Sequence, residues 1–197
     1  MSCYLSIDID YWNYALNRTR KAKAYLDKIA LLSRAKGIPI QAMMNHHQML
    51  PLVNKSGATT LINIDTHSDL ADDTVEQLNV GTWVSYVKQR RQSHYHWIHG
   101  GPLEDGECNS EDPIFPRRGK PHLDLTDWGT LQRTQLDTPP RPERVMRDVV
   151  AVGVVLSPSY CMWDLEPVFH SWRKDWEISY LRGVKNERLV RRTLSPK

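Results

Sequence analysis

The sequence predicts an α/β fold built on a mainly parallel sheet, and three observations carry that prediction. Residues 3–65 alternate strand-like and helix-like patterns in the order strand, helix, strand, helix, strand, which calls for helical crossovers between parallel strands. Residues 149–156 form a continuous apolar run, the mark of a strand covered on both faces. The 197 residues, 40% hydrophobic and 25% charged, suit a single domain with a substantial core, spanning residues 1–197.

Taken in order, residues 3–10 (Cys-Tyr-Leu-Ser-Ile-Asp-Ile-Asp) alternate and are β-prone, so they read as a strand ending at two carboxylates. Residues 13–36 read as a helix, with Ala15, Ala22, Tyr25, Ile29 and Leu32 at helical spacings and Gly37 as its stop. Residues 38–44 read as a second strand running into Asn45-His46-His47. A short helix with Met49, Leu52 and Val53 follows, closed by Gly57, and residues 59–65 are a β-branched third strand. Residues 100–142 hold seven of the 12 prolines and five of the ten glycines, so 100–147 reads as an irregular excursion. Residues 148–156 are the last strand. Residues 165–192 read as helical, limited by Pro167 and Gly183.

Composition narrows the function. The net charge of +3 divides into a basic tail at 181–197, with a local balance of +5, and a body at −2, which argues against a nucleic-acid surface. The longest apolar run is far short of the roughly 20 residues a membrane span needs. The first residues, MSCYLSIDID, lack a signal-peptide pattern, and three scattered cysteines do not make a disulfide framework. The expected setting is the cytoplasm, without membrane or nucleic-acid partners.

Three strings sit where strands end: Asp8-Ile9-Asp10, His46-His47 and Asp65-Thr66-His67-Ser68-Asp69. In open parallel sheets, sites form at the carboxyl ends of strands. Alternation would place both aspartates of Asp-x-Asp on one side, and all three ligand-type residues of Asp-x-His-x-Asp as well if the segment is extended. Carboxylates so close repel unless protonated or neutralised by cations, and oxygen with imidazole but no thiolate suits Mn²⁺, Fe²⁺ or Zn²⁺. Each string alone also has a structural explanation: Asp69 before Leu70-Ala71 fits a helix N-cap, and His46-His47 fits a packed pair. Their coincidence at three strand ends favours a metal site.

These residues resemble a known superfamily. Asp65-Thr66-His67-Ser68-Asp69 is similar to the Asp-Ala-His-x-Asp motif of the arginase/deacetylase superfamily, and Ser6-Ile7-Asp8-Ile9-Asp10 to its Ser-x-Asp-x-Asp motif. His47-Gln48-Met49-Leu50-Pro51 resembles the histidine segment of a divergent branch that includes peptide arginases. Asn79-Val80-Gly81-Thr82-Trp83, Tyr95-His96-Trp97 and Leu156-Ser157-Pro158-Ser159-Tyr160 also look like segments of that branch. The resemblance implies a three-layer αβα fold, with a permuted strand order because the Asp-x-Asp string here opens the chain rather than following Asp-x-His-x-Asp. It implies two manganese ions per chain, with Fe²⁺ or Zn²⁺ as alternatives. His47, Asp65, Asp69 and Asp8 would hold one; His67, Asp65, Asp8 and Asp10 the other.

The implied reaction is hydrolysis of a guanidinium. Water acidified between two dications attacks the guanidinium carbon of arginine, within a peptide or as a small guanidino compound, releasing ornithine and urea. An amide carbon suits the same chemistry, so a deacetylase-type hydrolase is the alternative, and a non-catalytic binding protein on the same fold is the third reading. Asp69 would orient the hydroxide. His46, His94, His96 and His99 are candidate proton donors for the leaving nitrogen, with His46 and His96 carried forward. Glu166 and Asp164 are candidate guanidinium partners, as are Glu104, Asp105, Glu107, Glu111 and Asp112. Trp83, Trp97 and Trp163 are candidate pocket walls, Trp83 foremost. Cys108 and Cys161 lack thiolate-activating neighbours. A homo-oligomer is compatible with this reading.

Overall fold

The structure, a computed structural model, describes residues 2–70, 78, 81–88, 90–100 and 128–181. Among the described residues six strands form one sheet: β1 (Cys3–Asp8), β2 (Ile40–Met43), β3 (Thr60–Ile64), β4 (His94–His99), β5 (Thr130–Gln135) and β6 (Val149–Val155). Their spatial order is β2-β6-β1-β3-β4-β5 and every pairing is parallel. The helices are α1 (Arg18–Lys36), α2 (Leu50–Ser56), α3 (Pro142–Val145) and α4 (Glu166–Asp175). Parallel neighbours need crossovers, and α1 and α2 supply the first two.

Two apolar clusters lie on opposite faces of the sheet, so the expected three-layer α/β arrangement is what the chain adopts. On one face Leu5, Ile7, Val152 and Val154 pack with Leu26 and Ile29 of α1 and Phe169 and Trp172 of α4. On the other, Tyr4, Leu61, Tyr95 and Trp97 pack with Met43, Met49, Val53 of α2 and Trp83. All six residues of β1 are buried, as a central strand covered twice must be. From β1 the chain leaves toward β2 at one edge, and from β3 toward β4 and β5 at the other. The carboxyl ends of β1 and β3 therefore flank the topological switch point, where α/β sheets open a crevice.

Several boundaries differ from expectation for identifiable reasons. The first strand ends at Asp8, not residue 10, because Asp8 caps a 3₁₀ turn (Ile9–Trp12) by accepting a hydrogen bond from Asp10 N. Helix α1 starts at Arg18 rather than at residue 13, since the Asn13 side chain is spent on distant backbone groups. Its end and that of α2 fall where Gly37 and Gly57 adopt φ of 65°, as read from the sequence. The excursion at 100–147 is not irregular throughout: it contains β5 and α3, while 101–127 lie outside the described residues. Strand β5 is a polar edge strand (Thr-Leu-Gln-Arg-Thr-Gln), so it carries little apolar signal. The final helix ends at Asp175 instead of running to residue 192, and most of the basic tail, 182–197, lies outside the described residues. No helix among the described residues is long and apolar enough to cross a membrane.

Candidate metal centre

The site is assembled by three loops at the carboxyl end of the sheet. Asp8 closes β1, and its cap on Asp10 N (3.0 Å) curls the chain so that Asp10 turns back toward β3. The two aspartates are thus gathered by a turn and not by the alternation of an extended strand. On the neighbouring strand, Asp65 Oδ1 accepts from His67 N (2.9 Å), a turn of the same kind. The two loops are stapled where Thr66 N donates to Asp10 Oδ1 (3.3 Å) and Thr66 Oγ1 to Asp10 O (3.1 Å). Beyond β2, Gln48 Oε1 accepts from both Met44 N and Asn45 N (3.1 Å each), which fixes the turn (His46–Met49) that delivers His46.

His46 is the hub. Its Nδ1 lies 2.8 Å from Asp69 Oδ2, 3.2 Å from Asp65 Oδ2 and 3.3 Å from Asp8 Oδ2, with all four side chains nearly sealed from solvent. Its Nε2 meets Ser6 Oγ at 2.9 Å, and its ring stacks on Trp83 at 5.2 Å. Trp83 Nε1 donates to Asp69 Oδ2, Ser157 Oγ donates to Asp8 Oδ2, and Asn63 Nδ2 donates to Asp65 Oδ2 (3.0 Å). Asp69 is held in a left-handed conformation (φ 54°) within this network. A second focus lies at the mouth: His67 Nδ1 is 3.1 Å from Asp10 Oδ2 and 3.8 Å from Asp65 Oδ1, and His67 is about a third exposed.

Among the described residues, two groups could hold a metal ion: Asp8, His46 and Asp65, and Asp10, Asp65 and His67, each with ligand atoms within 4.8 Å of one another. Asp65 belongs to both, turning Oδ2 toward His46 and Oδ1 toward His67. Electrostatics agree with a site that expects cations. Burial, then Asp10, push the Asp8 carboxyl up to about 7, with His46 opposing. Burial and the charges of Asp69, Asp10 and Asp8 hold Asp65 well above the ordinary carboxylate range. Burial drives His46 down, but Asp69 and Asp8 outweigh it, so the imidazolium is favoured on balance. One buried imidazole cannot neutralise four carboxylates. Asp10 Oδ2, sealed from water, accepts no hydrogen bond although His67 is near, and a buried carboxylate oxygen in that position fits a divalent ion. Oxygen and imidazole without thiolate select Mn²⁺, Fe²⁺ or Zn²⁺.

Ser6, His46 and Asp69 also line up in the order of a nucleophilic triad. Ser6 is wholly buried in the middle of β1, however, so no substrate reaches its hydroxyl. Its bond fixes the ring orientation of His46, the usual task of a partner behind a metal-binding histidine. Cys161 is no nucleophile either, because burial and the charges of Asp8 and Asp10 push its thiol up.

The structure gathers Asp8, Asp10, Asp65, His67 and Asp69 as expected from the sequence, but His46 occupies the place foreseen for His47. His47 is in neither ligand group, and burial followed by the His46 charge lowers its basicity. His96 is not a proton donor to this site: strand alternation puts it opposite Tyr95 and Trp97, where it meets Thr134 Oγ1 at 2.9 Å. Asp164 is committed to Arg18, both oxygens lying 2.8 Å from Nε. Glu166 is more than half exposed and faces His170 on its own helix at 3.6 Å. Trp83 is fully buried and braces His46 and Asp69 instead of walling an open pocket. Glu104, Asp105, Glu107, Glu111, Asp112 and Cys108 lie outside the described residues. Asn63 carries no sequence signal of its own, and Ser6 and Ser157, which stand in the strings that carry the resemblance, have no role assigned by it. Ser6 and Asn63 stand two residues before Asp8 and Asp65, so alternation alone puts them on the same face.

The chain matches no protein-family model, no curated protein and no solved structure.

Proposed function

We propose that this protein is a divalent-metal-dependent hydrolase of C–N bonds that converts the guanidinium of arginine, within a peptide, to ornithine and urea, using two manganese ions. The observation that carries this reading is Asp65, which offers one oxygen to each of two adjacent Asp/His groups at the switch point of a parallel sheet. Asp8, His46 and Asp69 would hold one ion, Asp10 and His67 the other, and Asp65 would bridge them. Two such ions, when bound, would supply an acidified water and polarise the bond to be cleaved. The chain's own part is orientation. Ser6 fixes the His46 ring, Ser157 and Asn63 fix the carboxylates of Asp8 and Asp65, and Trp83 fixes Asp69. Each of these bonds leaves a ligand with one preferred direction before a metal arrives. Burial of the cluster excludes bulk water, so charge developing on the substrate is felt strongly. The balance is one water consumed per amine and urea formed, with a proton delivered to the departing nitrogen.

One observation favours a second reading, a zinc-dependent amide hydrolase. Asp8, His46 and Asp65 alone make a buried three-ligand set, the number that leaves zinc one position for water. Metal analysis and product assay separate the two. The first predicts about two manganese per chain and urea from arginine peptides; the second predicts one zinc and carboxylate release from acylated lysine peptides. A chain that binds no divalent ion would overturn both and leave a binding protein.

A further inference from the structure

The loop after β6, residues 157–165, carries surface that the ligand cluster does not use. It begins beneath the site, where Ser157 bonds Asp8, and it brings Tyr160 against His67, with ring centroids 5.0 Å apart and planes at 61°. Tyr160 is nevertheless 50% exposed, and Trp163 is 82% exposed. Of the seven exposed large hydrophobic residues among those described, five (Tyr14, Leu16, Tyr160, Met162 and Trp163) lie on this loop or on residues 13–18, which bond to it. Single exposed apolar residues are ordinary, but a cluster of them beside a site marks a binding surface.

The cluster is exposed without being loose. Tyr160 N and Cys161 N both donate to Ser157 O, and Leu165, fully buried, donates to Met162 O. Asn13 grips the loop twice, donating to Tyr160 O (2.8 Å) and accepting from Met162 N (3.0 Å). Arg18 holds Asp164 from the other side. Aromatic rings presented on a pinned loop are pre-organised, so little entropy is lost when something settles on them.

Charge identifies what would settle there. Two dications would cancel the four carboxylates of the cluster, and Asp164 already faces Arg18, so little anionic charge remains for a guanidinium among these groups. The aromatic faces at the mouth remain, and a planar cation binds them well. We propose that Tyr160 and Trp163 are specificity-determining residues. Tyr160 receives the arginine side chain beside His67, and Trp163 packs on the flanking residues of the peptide. The inference rests on the hydrolase reading for its substrate, but its test has a separate readout.

Trp163 is the most exposed tryptophan among the described residues, while Trp12, Trp83, Trp97, Trp128 and Trp172 are sealed and Trp176 is half-buried, so the acrylamide quenching of the full-length, manganese-loaded protein that Trp163→Phe removes reports on it. An arginine-containing peptide is expected to protect that fluorescence, and Trp163→Phe to retain peptide binding. Tyr160→Leu and Trp163→Leu should raise KM for urea release from the peptide by roughly tenfold with kcat held within about twofold, whereas Leu31→Ala, on α1, should change neither. Protection of Trp163 without urea release would retain the peptide-binding role of Tyr160 and Trp163 and sink the guanidinium hydrolase. Urea release with unchanged KM in both Leu variants and no protection would sink the role of Tyr160 and Trp163 alone. Dimerisation in solution that Trp163→Glu abolishes would also overturn it, because a second copy would then be the occupant.

Discussion

At the scale of single residues, the cluster makes opposite demands on stability and on binding. Asp8 and Asp65 have folded-state values raised above their unfolded ones, chiefly by burial, and His46 is raised as well. A raised group contributes stability below its unfolded value and loses it as pH climbs through the folded value. All three therefore weaken the metal-free protein as pH rises. His99, pushed down to about 4 by burial and Arg133, and His47 and His96, also lowered, act the other way, but only below the unfolded histidine value of about 6.5. The clean window lies above that value. The metal-free protein should lose thermal stability between about pH 6.5 and 8.5, across the Asp8 transition. The manganese-loaded protein should not, since protons and metal compete for the same oxygens. Metal-free stability that is flat or rising across this interval contradicts the repulsive cluster. Asp10→Asn separates function from structure at one oxygen. The amide can still accept from Thr66 N and can donate toward His67 from the position of the orphaned Oδ2. The melting temperature without metal should not drop, while bound metal should fall by about one ion per chain and activity by roughly 100-fold or more. A clear drop in melting temperature would make Asp10 and His67 a structural ion pair instead.

At the scale of elements, the site depends on how closely the His46–Met49 turn can approach the sheet. Gly153 of β6 permits that approach: a Cβ there would stand 2.7 Å from both Met49 Cε and Tyr4 Oη and 2.9 Å from Met43 Cε. The methionines can yield, but the tyrosine ring is rigid, so Gly153→Ala should cost about 1–3 kcal/mol by denaturant unfolding. It should also weaken metal binding through His46, although residue 153 touches no ligand; unchanged stability would mean that the packing here is slack. This dependence explains what was legible in the sequence. Strands β1, β3 and β6 announce themselves by alternation or an unbroken apolar run, and Gly37 and Gly57 by their place after helical repeats. Strand β4 hides because a stretch with three histidines reads equally well as a loop with packed aromatics, and β5 because an edge strand needs no apolar pattern. The aspartates at strand ends were legible from sequence spacing, but the choice of His46 over His47 was not. That choice is made locally by Gln48 capping the turn, and then by Ser6 and Trp83 receiving the ring, the last two being contacts between segments about 40 residues apart.

At the scale of the whole molecule, the position of the site determines how a bound ion should be felt. Its ligands come from the ends of β1, β2 and β3, two of them central strands, so an ion there ties residues 8 to 69 together through the middle of the sheet. An ion held by one flexible loop would quieten that loop alone. Here, ligand loss requires the central strands to separate, which is close to global unfolding, so the binding free energy should add to global stability. Each manganese ion, at about 100 times its dissociation constant, should then stabilise by about 2.7 kcal/mol, which for a domain of this size is a rise of roughly 5–10 °C in melting temperature per ion, reversed by chelation. Hydrogen exchange supplies the sharper test. Amides of β1 and β3 should slow about as much as the melting data require, and β5, at the sheet edge, should slow less if it opens on its own. Protection confined to residues 65–69, with the melting temperature unmoved, would mean that the ion is a surface passenger, and the central-site reading of this fold would fall.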